Sequence, residues 1–425
     1  MAELFSTRQD ATAVVRRLRE SGHVAYFAGG CVRDELLGLE PKDYDVATDA
    51  PPERVRELFR NTQAVGAAFG VILVRVNASQ VEVATFRTDS TYGDGRRPDS
   101  VRFTTAEEDA QRRDFTINGM FLDPLDGQVI DYVGGQRDLS ERRLRAIGNP
   151  AERFAEDHLR MLRAVRFAAR FALTVDDATA AAIVEHAAHL RRISPERIAD
   201  ELRRMWTVPS RVTAWNLLRR LGLLDVLFRD LPMRRQSSDA EPGMEAIFHA
   251  TAAGQPISFG LALAAGSLAY LSPGASGDVR ELLAKASVTA VIQSLRRTLR
   301  ISNEESDEAS GALAGAGLLL QTAEPDVVML KRFLARPTAG ATRSLLRGLA
   351  ACGMYRERVE WLEDRLAGLE TTDYAPLPLL TGDDLLAMGM QAGPAFKTIL
   401  DRVYDAQLEG RLATKADALE WVRSL

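Results

Sequence analysis

An α+β head followed by an all-helical remainder is the fold class this sequence predicts, on three observations. Short β-rich runs alternate with helical segments up to about Gly148, apolar residues recur at helical spacing from Ala151 onward, and the later breaks are polar or carry Gly and Pro. A chain of 425 residues exceeds what one hydrophobic core serves, so two to four domains are expected.

The elements follow in order. Thr7 to Ser21 places Ala11, Val14, Val15 and Leu18 on one helical face. Val24 to Ala28 reads as a strand ending at Gly29-Gly30, and a helix opens over Val32 to Leu37. Asp43 to Ala47 reads as a strand, and Pro52 to Phe59 as a helix with Pro in its first turn. Val71 to Val76 and Gln80 to Phe86 form a hairpin through Asn77-Ala78-Ser79. Asp89 to Ser100, rich in Gly, Asp, Arg and Pro, reads as a loop, and Thr116 to Phe121 and Val129 to Tyr132 as the last strands. Phe154 to Phe171, Ala178 to His189, Pro195 to Met205 and Val212 to Leu221 read as helices, with breaks at Met233 to Gly243, Ser272 to Gly277, Arg336 to Ala341 and Thr371 to Pro378.

Composition excludes several classes. The N-terminus lacks the order of a signal peptide, and the longest apolar stretch, Phe259 to Leu271, is too short to span a bilayer. Cys31 and Cys352 alone support neither a disulfide framework nor a cysteine zinc site, which points to a cytoplasmic protein without membrane attachment. A net charge of −5 argues against indiscriminate nucleic-acid binding. The cations are nonetheless nearly all Arg and crowd between Arg137 and Arg170, where their planar forks suit phosphates and base edges. There is no Walker P-loop and no Gly-x-Ser-x-Gly element, and His23, His158, His186, His189 and His249 form no zinc motif.

Chemistry concentrates in AGGCVRDELLG and the DYDVAT that follows it. Asp43 and Asp45 are two apart, so on a strand both carboxylates leave one face, and a hard cation such as Mg²⁺ relieves their repulsion. Gly29-Gly30 at a strand end lets backbone amides approach phosphate, and Arg33 adds a fork for the same charge. In VEVATFR, Glu82 alternates with Val81 and Val83; periodicity alone favours a plain strand-face acid there, with a third metal-site carboxylate as the alternative.

GGCVRDELLG with DYDVAT, then RRDFTING, then EDHLRMLRAVRFAARF resemble, in order and spacing, three motifs of class II tRNA nucleotidyltransferases and their bacterial poly(A) polymerase relatives. SPERIADEL and the closing PLLTGDDLLAMGMQAGPAFKTIL resemble later regions of the CCA-adding branch. The resemblance implies a small mixed-sheet head of the nucleotidyltransferase type over 1–148, a helical neck for nucleobase selection over 149–210, and an RNA-binding body over 211–335 and tail over 336–425. It implies Asp43 and Asp45 as ligands of catalytic Mg²⁺, with Glu82 a third catalytic carboxylate. Gly30 and Arg33 would hold the triphosphate, Arg113 phosphate or ribose, and Asn118 would lie near the sugar. Asp157 and Arg160 would read the base, with Arg163 and Arg166 on nucleotide or RNA.

Base chemistry agrees with that last assignment. Cytosine and adenine both show an amino donor beside a ring-nitrogen acceptor, which a carboxylate and a guanidinium can read together; uracil and guanine reverse part of the pattern. Asp157 and Arg160, three apart on the expected helix, reach one ligand, although a plain surface ion pair has the same spacing. The implied activity is addition of C, C and A to tRNA from CTP and ATP. The loop holding Tyr92, Arg96, Arg97 and Pro98 is longer than a CC-only enzyme implies, and VGAAFGVILVRV resembles the CCA-adding form more than the polyadenylating one. A split-system enzyme adding only A or CC, a poly(A) polymerase, and a catalytically silent RNA-binding protein remain as alternatives, and oligomeric state stays open.

Overall fold

The computed structural model describes residues 6–66, 70–89, 101–231, 255–271 and 278–424. The chain divides into two compact units, Met1–Met205 with Thr213–Leu227, and Trp206–Val212 with Phe228–Leu425. The mixed sheet at the front and the mostly helical remainder match the expected class.

The first unit holds a seven-stranded sheet. Its strands are β1 (Ala25–Ala28), β2 (Val46–Thr48), β3 (Thr62–Gly66), β4 (Val71–Val76), β5 (Ser79–Thr85), β8 (Phe121–Leu122) and β9 (Val129–Ile130), in the order β3-β4-β5-β2-β1-β8-β9. β2 and β5 run parallel and the other neighbours antiparallel, with Phe27 beside Val46, Val46 beside Val83, and Val83 beside Ile72. These apolar partners are all buried. Helix α1 (Arg8–Glu20) packs along β1, β2 and β5 and buries Ala11, Val14, Val15 and Leu18. Its Asp10 accepts from Ser79 (2.5 Å) and Asn77 (2.6 Å), which fastens the helix to the β4–β5 turn. Asn77 takes a left-handed φ of 52°, a conformation that Asn tolerates well. A second aromatic cluster joins Tyr26, Phe86 and Phe121.

Several expectations are corrected. Asp43 and Asp45 precede β2 in extended chain rather than lying on it, although the alternation survives: Tyr44 between them is buried and Asp43 exposed. Thr116–Asn118 is a 3₁₀ turn, not a strand, and only Phe121–Leu122 joins the sheet. The expected single helix over Phe154 to Phe171 is two, α6 (Pro150–Glu156) and α7 (Leu159–Phe171), with Asp157 between them at φ −145°, ψ 104°. The helical part also contains a strand, β11 (Thr174–Val175), pairing in parallel with β10 (Arg143–Leu144). The loop expected over Asp89 to Ser100 is approached by a paired β6 (Arg87–Asp89) and β7 (Val101–Phe103); its residues 90–100 lie outside the described residues, as do the breaks expected at Met233 to Gly243 and Ser272 to Gly277.

In the second unit, Phe259–Leu271 is buried at every position but Tyr270 and packs against Asn303–Gln321. Asn303–Gln321 meets Ala339–Ala351 closely, because a side chain at Gly315 would fall 2.5 Å from Thr342 Oγ1. Three C-terminal helices, Gly382–Ala387, Pro394–Leu408 and Lys415–Arg423, close over Leu385, Val403, Ala406 and Ala418. Among the described residues no helix is long and apolar enough to cross a membrane.

Candidate active site

A cavity of about 700 Å³ opens in the first unit. Its walls come from the Gly29-Gly30 turn after β1, from β2, β5, the segment from Arg112 to Asn118, the α6–α7 joint, and α9 (Pro195–Trp206). Eight arginines line it against four acids, Asp45, Glu82, Asp114 and Asp157, so the cavity suits an anionic guest.

Gly29 and Gly30 form one edge. Gly29 has φ 74° and ψ −120° and caps α2 (Gly30–Leu36); a Cβ on it would meet Arg113 Nη1 at 3.0 Å. The backbone therefore comes close to an arginine where only glycine fits. On α2, Arg33 is buried, pairs with Asp34 (2.6 Å), lies over the Phe171 ring (4.3 Å), and donates to Asn118 Oδ1 (2.6 Å).

The acidic edge holds Asp45 and Glu82. Burial, then the charges of Glu82 and Asp43, push the Asp45 carboxyl up to about 7 against a smaller opposing pull from Arg113. Glu82, opposite Leu73 on β5, is exposed to the cavity, yet the surrounding walls strip enough hydration, with Asp43 adding like charge, to raise its carboxyl. Asp43 itself lies outside the cavity lining. Among the described residues no group of three His, Cys, Asp or Glu is drawn together as a metal cage. The donor set instead matches a cation held by one or two carboxylates that takes its remaining ligands from substrate phosphates, the usual habit of Mg²⁺. Mutual repulsion among Asp43, Asp45 and Glu82 is what such a cation would relieve.

A chain of hydrogen bonds crosses the floor. Asn118, holding Arg33 through its carbonyl oxygen, donates through its amide nitrogen to Asp114 Oδ1 (3.0 Å), and Arg163 donates twice to Asp114 Oδ2 (2.9 and 2.6 Å). Burial pushes the Asp114 carboxyl up, but the Arg163 guanidinium, Asn118 and the Phe115 amide outweigh it and hold it at about 2. Arg113 pairs with buried Asp109 (2.9 Å), as does Arg112 (2.8 Å).

Asp157 and Arg160 both face the cavity but do not pair with one another. Asp157 Oδ2 accepts from Arg197 (2.8 Å) and Oδ1 from the Leu159 amide (3.0 Å), whereas Arg160 pairs with Glu156. Arg166 is not in the lining: it pairs with buried Glu201 at 3.2 Å, and burial lowers its guanidinium to about 10 despite that partner. The structure thus gathers Gly30, Arg33, Asp45, Glu82, Arg113, Asn118, Asp157, Arg160 and Arg163 around one cavity and leaves Asp43 and Arg166 outside its lining.

Sequence reasoning missed Asp114, Arg197 and Arg204. The signal for Asp114 was an acid directly after two arginines in RRDFTING; that for Arg197 and Arg204 was their one-face spacing on the SPERIADEL helix.

Residues 25–145 match the poly(A) polymerase head domain, and residues 172–233 a segment described as the probable RNA and SrmB binding site of polymerase A. A CCA-adding enzyme of Enterococcus faecalis is 46% identical over 198 residues, 46% of this chain and 48% of that protein. Poly(A) polymerase I of Salmonella typhi is 40% identical over 250 residues, 56% of this chain and 54% of that protein. The aligned region thus spans about half the length of these curated relatives. The crystal structure of the Bacillus stearothermophilus CCA-adding enzyme in complex with CTP superposes with a TM-score of 0.69 at 28% identity, covering 98% of each chain. In its head, its RNA-binding segment and its fold the chain is thus similar to CCA-adding enzymes and bacterial poly(A) polymerases.

Proposed function

We propose that this protein adds C, C and A to the 3′ end of tRNA, using CTP and ATP, Mg²⁺ and release of pyrophosphate. The observation that carries the reading is one cavity to which the β2 and β5 region contributes Asp45 and Glu82 and the α6–α7 joint contributes Asp157 and Arg160. A nucleotide fits that division: triphosphate toward the acids and the glycine turn, base toward the α6–α7 joint. The CTP complex of the Bacillus stearothermophilus enzyme supports the nucleotide assignment. We assign triphosphate binding to the head, 1–148, base selection to the neck, 149–210, and RNA binding to the body, 211–335, and tail, 336–425. On the same reading the enzyme is cytoplasmic.

Asp43 and Asp45, with Glu82 beside them, would hold Mg²⁺, which when bound offsets triphosphate charge and makes the RNA 3′-hydroxyl more acidic. Attack of that hydroxyl on the α-phosphate forms one P–O bond and breaks the bond to pyrophosphate. Gly29-Gly30, Arg33 and Arg113 line the triphosphate side, and their positive field stabilises charge building on the phosphates. Asn118, held between Arg33 and Asp114, keeps the floor rigid beneath the sugar. Asp157 accepts from the amino group of C or A, and Arg160 donates to the adjacent ring nitrogen. Arg163, bound to Asp114, adds charge near the nucleotide, and Arg166 acts from behind, through Glu201.

The test is extension of tRNA lacking CCA, with Mg²⁺ and CTP, ATP or both. Addition of CCA by the single protein supports the reading. Arrest after CC, or addition of A alone to a CC end, makes it a split-system enzyme. A long A tract moves it to the poly(A) branch, which the Salmonella typhi relative keeps in view. No incorporation overturns the reading in favour of a silent RNA binder. Asp43→Ala or Asp45→Ala is expected to lower turnover at least about 100-fold with the fold intact, as loss of a transition-state electrostatic contact does.

A further inference from the structure

We propose that Arg197 is a positioning residue for base selection: it fixes the Asp157 carboxylate so that bases lacking the amino group are turned away. The inference rests on the base-reading role of Asp157 given above and adds a residue to it.

Asp157 is held by nothing regular. It occupies extended backbone between two helices, and its side chain could swing about two torsions. Two contacts stop it. The Leu159 amide donates to Oδ1 at 3.0 Å and Arg197 donates to Oδ2 at 2.8 Å, so each oxygen is pinned and each keeps a second lone pair for a base. The pair is partly shielded, with Arg197 22% and Asp157 16% exposed, which makes the contact worth more than a surface ion pair.

Arg160 is turned by a different partner, Glu156, and by the Arg153 carbonyl at 3.0 Å. Were Asp157 and Arg160 bonded to one another, each would satisfy the other and neither edge would be open to a base. Separate partners instead hold each side chain in the cavity lining by itself.

Arg197 comes from α9, a helix whose residues 197, 201 and 204 lie along one face. Glu201 on that face is buried against Arg166, and Arg204 reaches the cavity. Arg197 is thus carried by an anchored helix.

Rejection needs this rigidity more than acceptance does. Uracil sets a carbonyl oxygen where cytosine sets its amino group, and a fixed carboxylate opposes it as like partial charge. A carboxylate free to rotate relieves the clash, so losing Arg197 weakens use of the right base and lifts the penalty on the wrong one.

The experiment measures kcat/KM for CTP and for UTP on tRNA lacking CCA, in the full-length enzyme and in Arg197→Ala, Arg197→Lys and Asp157→Ala. Arg197→Ala is expected to lower the CTP-to-UTP ratio about ten-fold or more, within the range of one well-formed base contact. The KM for tRNA and the melting temperature stay near wild type, and Arg197→Lys, one charge without the fork, restores part of the ratio. Equal losses for both nucleotides, or an unchanged ratio, overturn the proposal. If Arg197→Ala fails to fold by circular dichroism, Arg197→Lys is judged by the same ratio. Asp157→Ala separates the two levels: an unchanged ratio there sinks the base-reading role itself, whereas a collapsed ratio there with a wild-type ratio in Arg197→Ala sinks only the role of Arg197.

Discussion

At the scale of single residues, two of the four acids lining the cavity act on stability with opposite sign. Asp45 keeps its proton up to about pH 7 in the folded protein, well above its unfolded value. Between about pH 4 and pH 7 the folded state therefore binds more protons than the unfolded one, and stability falls as pH rises through that window. Asp45→Asn in metal-free buffer at pH 7.5 is expected to stabilise the fold by about 2 kcal/mol, discounted for partial exposure, while losing turnover; an unchanged or lower urea midpoint would contradict this. Asp114 has the opposite sign. Held at about 2, it contributes stability that is present above about pH 4 and lost as pH falls toward 2. Asp114→Ala leaves the half-buried Arg163 without this partner, so it should cost about 2 kcal/mol at pH 7, and the gap from wild type should narrow in urea titrations at pH 3. Asp45 was legible as one of two spaced carboxylates. Asp114 was not, because its meaning depends on Arg163, 49 positions away in the chain.

At the scale of elements, periodicity revealed what was long and amphipathic. Helix α1 and the β4–β5 hairpin fell where alternation and spacing put them, since one face of each is buried. The missed elements are short. Thr116–Asn118 has β-prone residues but bonds as a 3₁₀ turn, because Asn118 is needed between Arg33 and Asp114. The break between α6 and α7 has no Gly or Pro to mark it; Asp157 makes it by accepting the Leu159 amide. The glycine turn gives a prediction at this scale. Gly29→Ala faces both a left-handed φ, costing about 1–2 kcal/mol, and the approach of Arg113. A Cβ on Gly30 would lie at an ordinary 3.6 Å from Arg33 Nη2. Gly29→Ala should therefore lower the melting temperature and raise the KM for nucleotide, while Gly30→Ala should fold normally by the same melt.

At the scale of the molecule, the chain passes between its two units three times, at 205, 212 and 227. The change from mixed sheet to helix was plain in the sequence; this threading was not, since it depends on which apolar faces meet. Leu223–Leu227 packs on the turn Ala187–Arg192 within the first unit, burying Leu223, Leu224 and Leu227. A fragment 1–227 should consequently melt higher than a fragment 1–205 by circular dichroism, because the shorter one leaves that surface bare; equal melting would count against this division. The β10–β11 pairing matters at this scale too. It joins residues 143–144 to 174–175 and so closes a ring of chain around α6 and α7. One residue inserted into α7 would turn Arg160 and Arg163 by about 100° against a strand that cannot follow. Inside that ring, then, a residue can be exchanged, but one added or removed shifts the register of every side chain that faces the cavity.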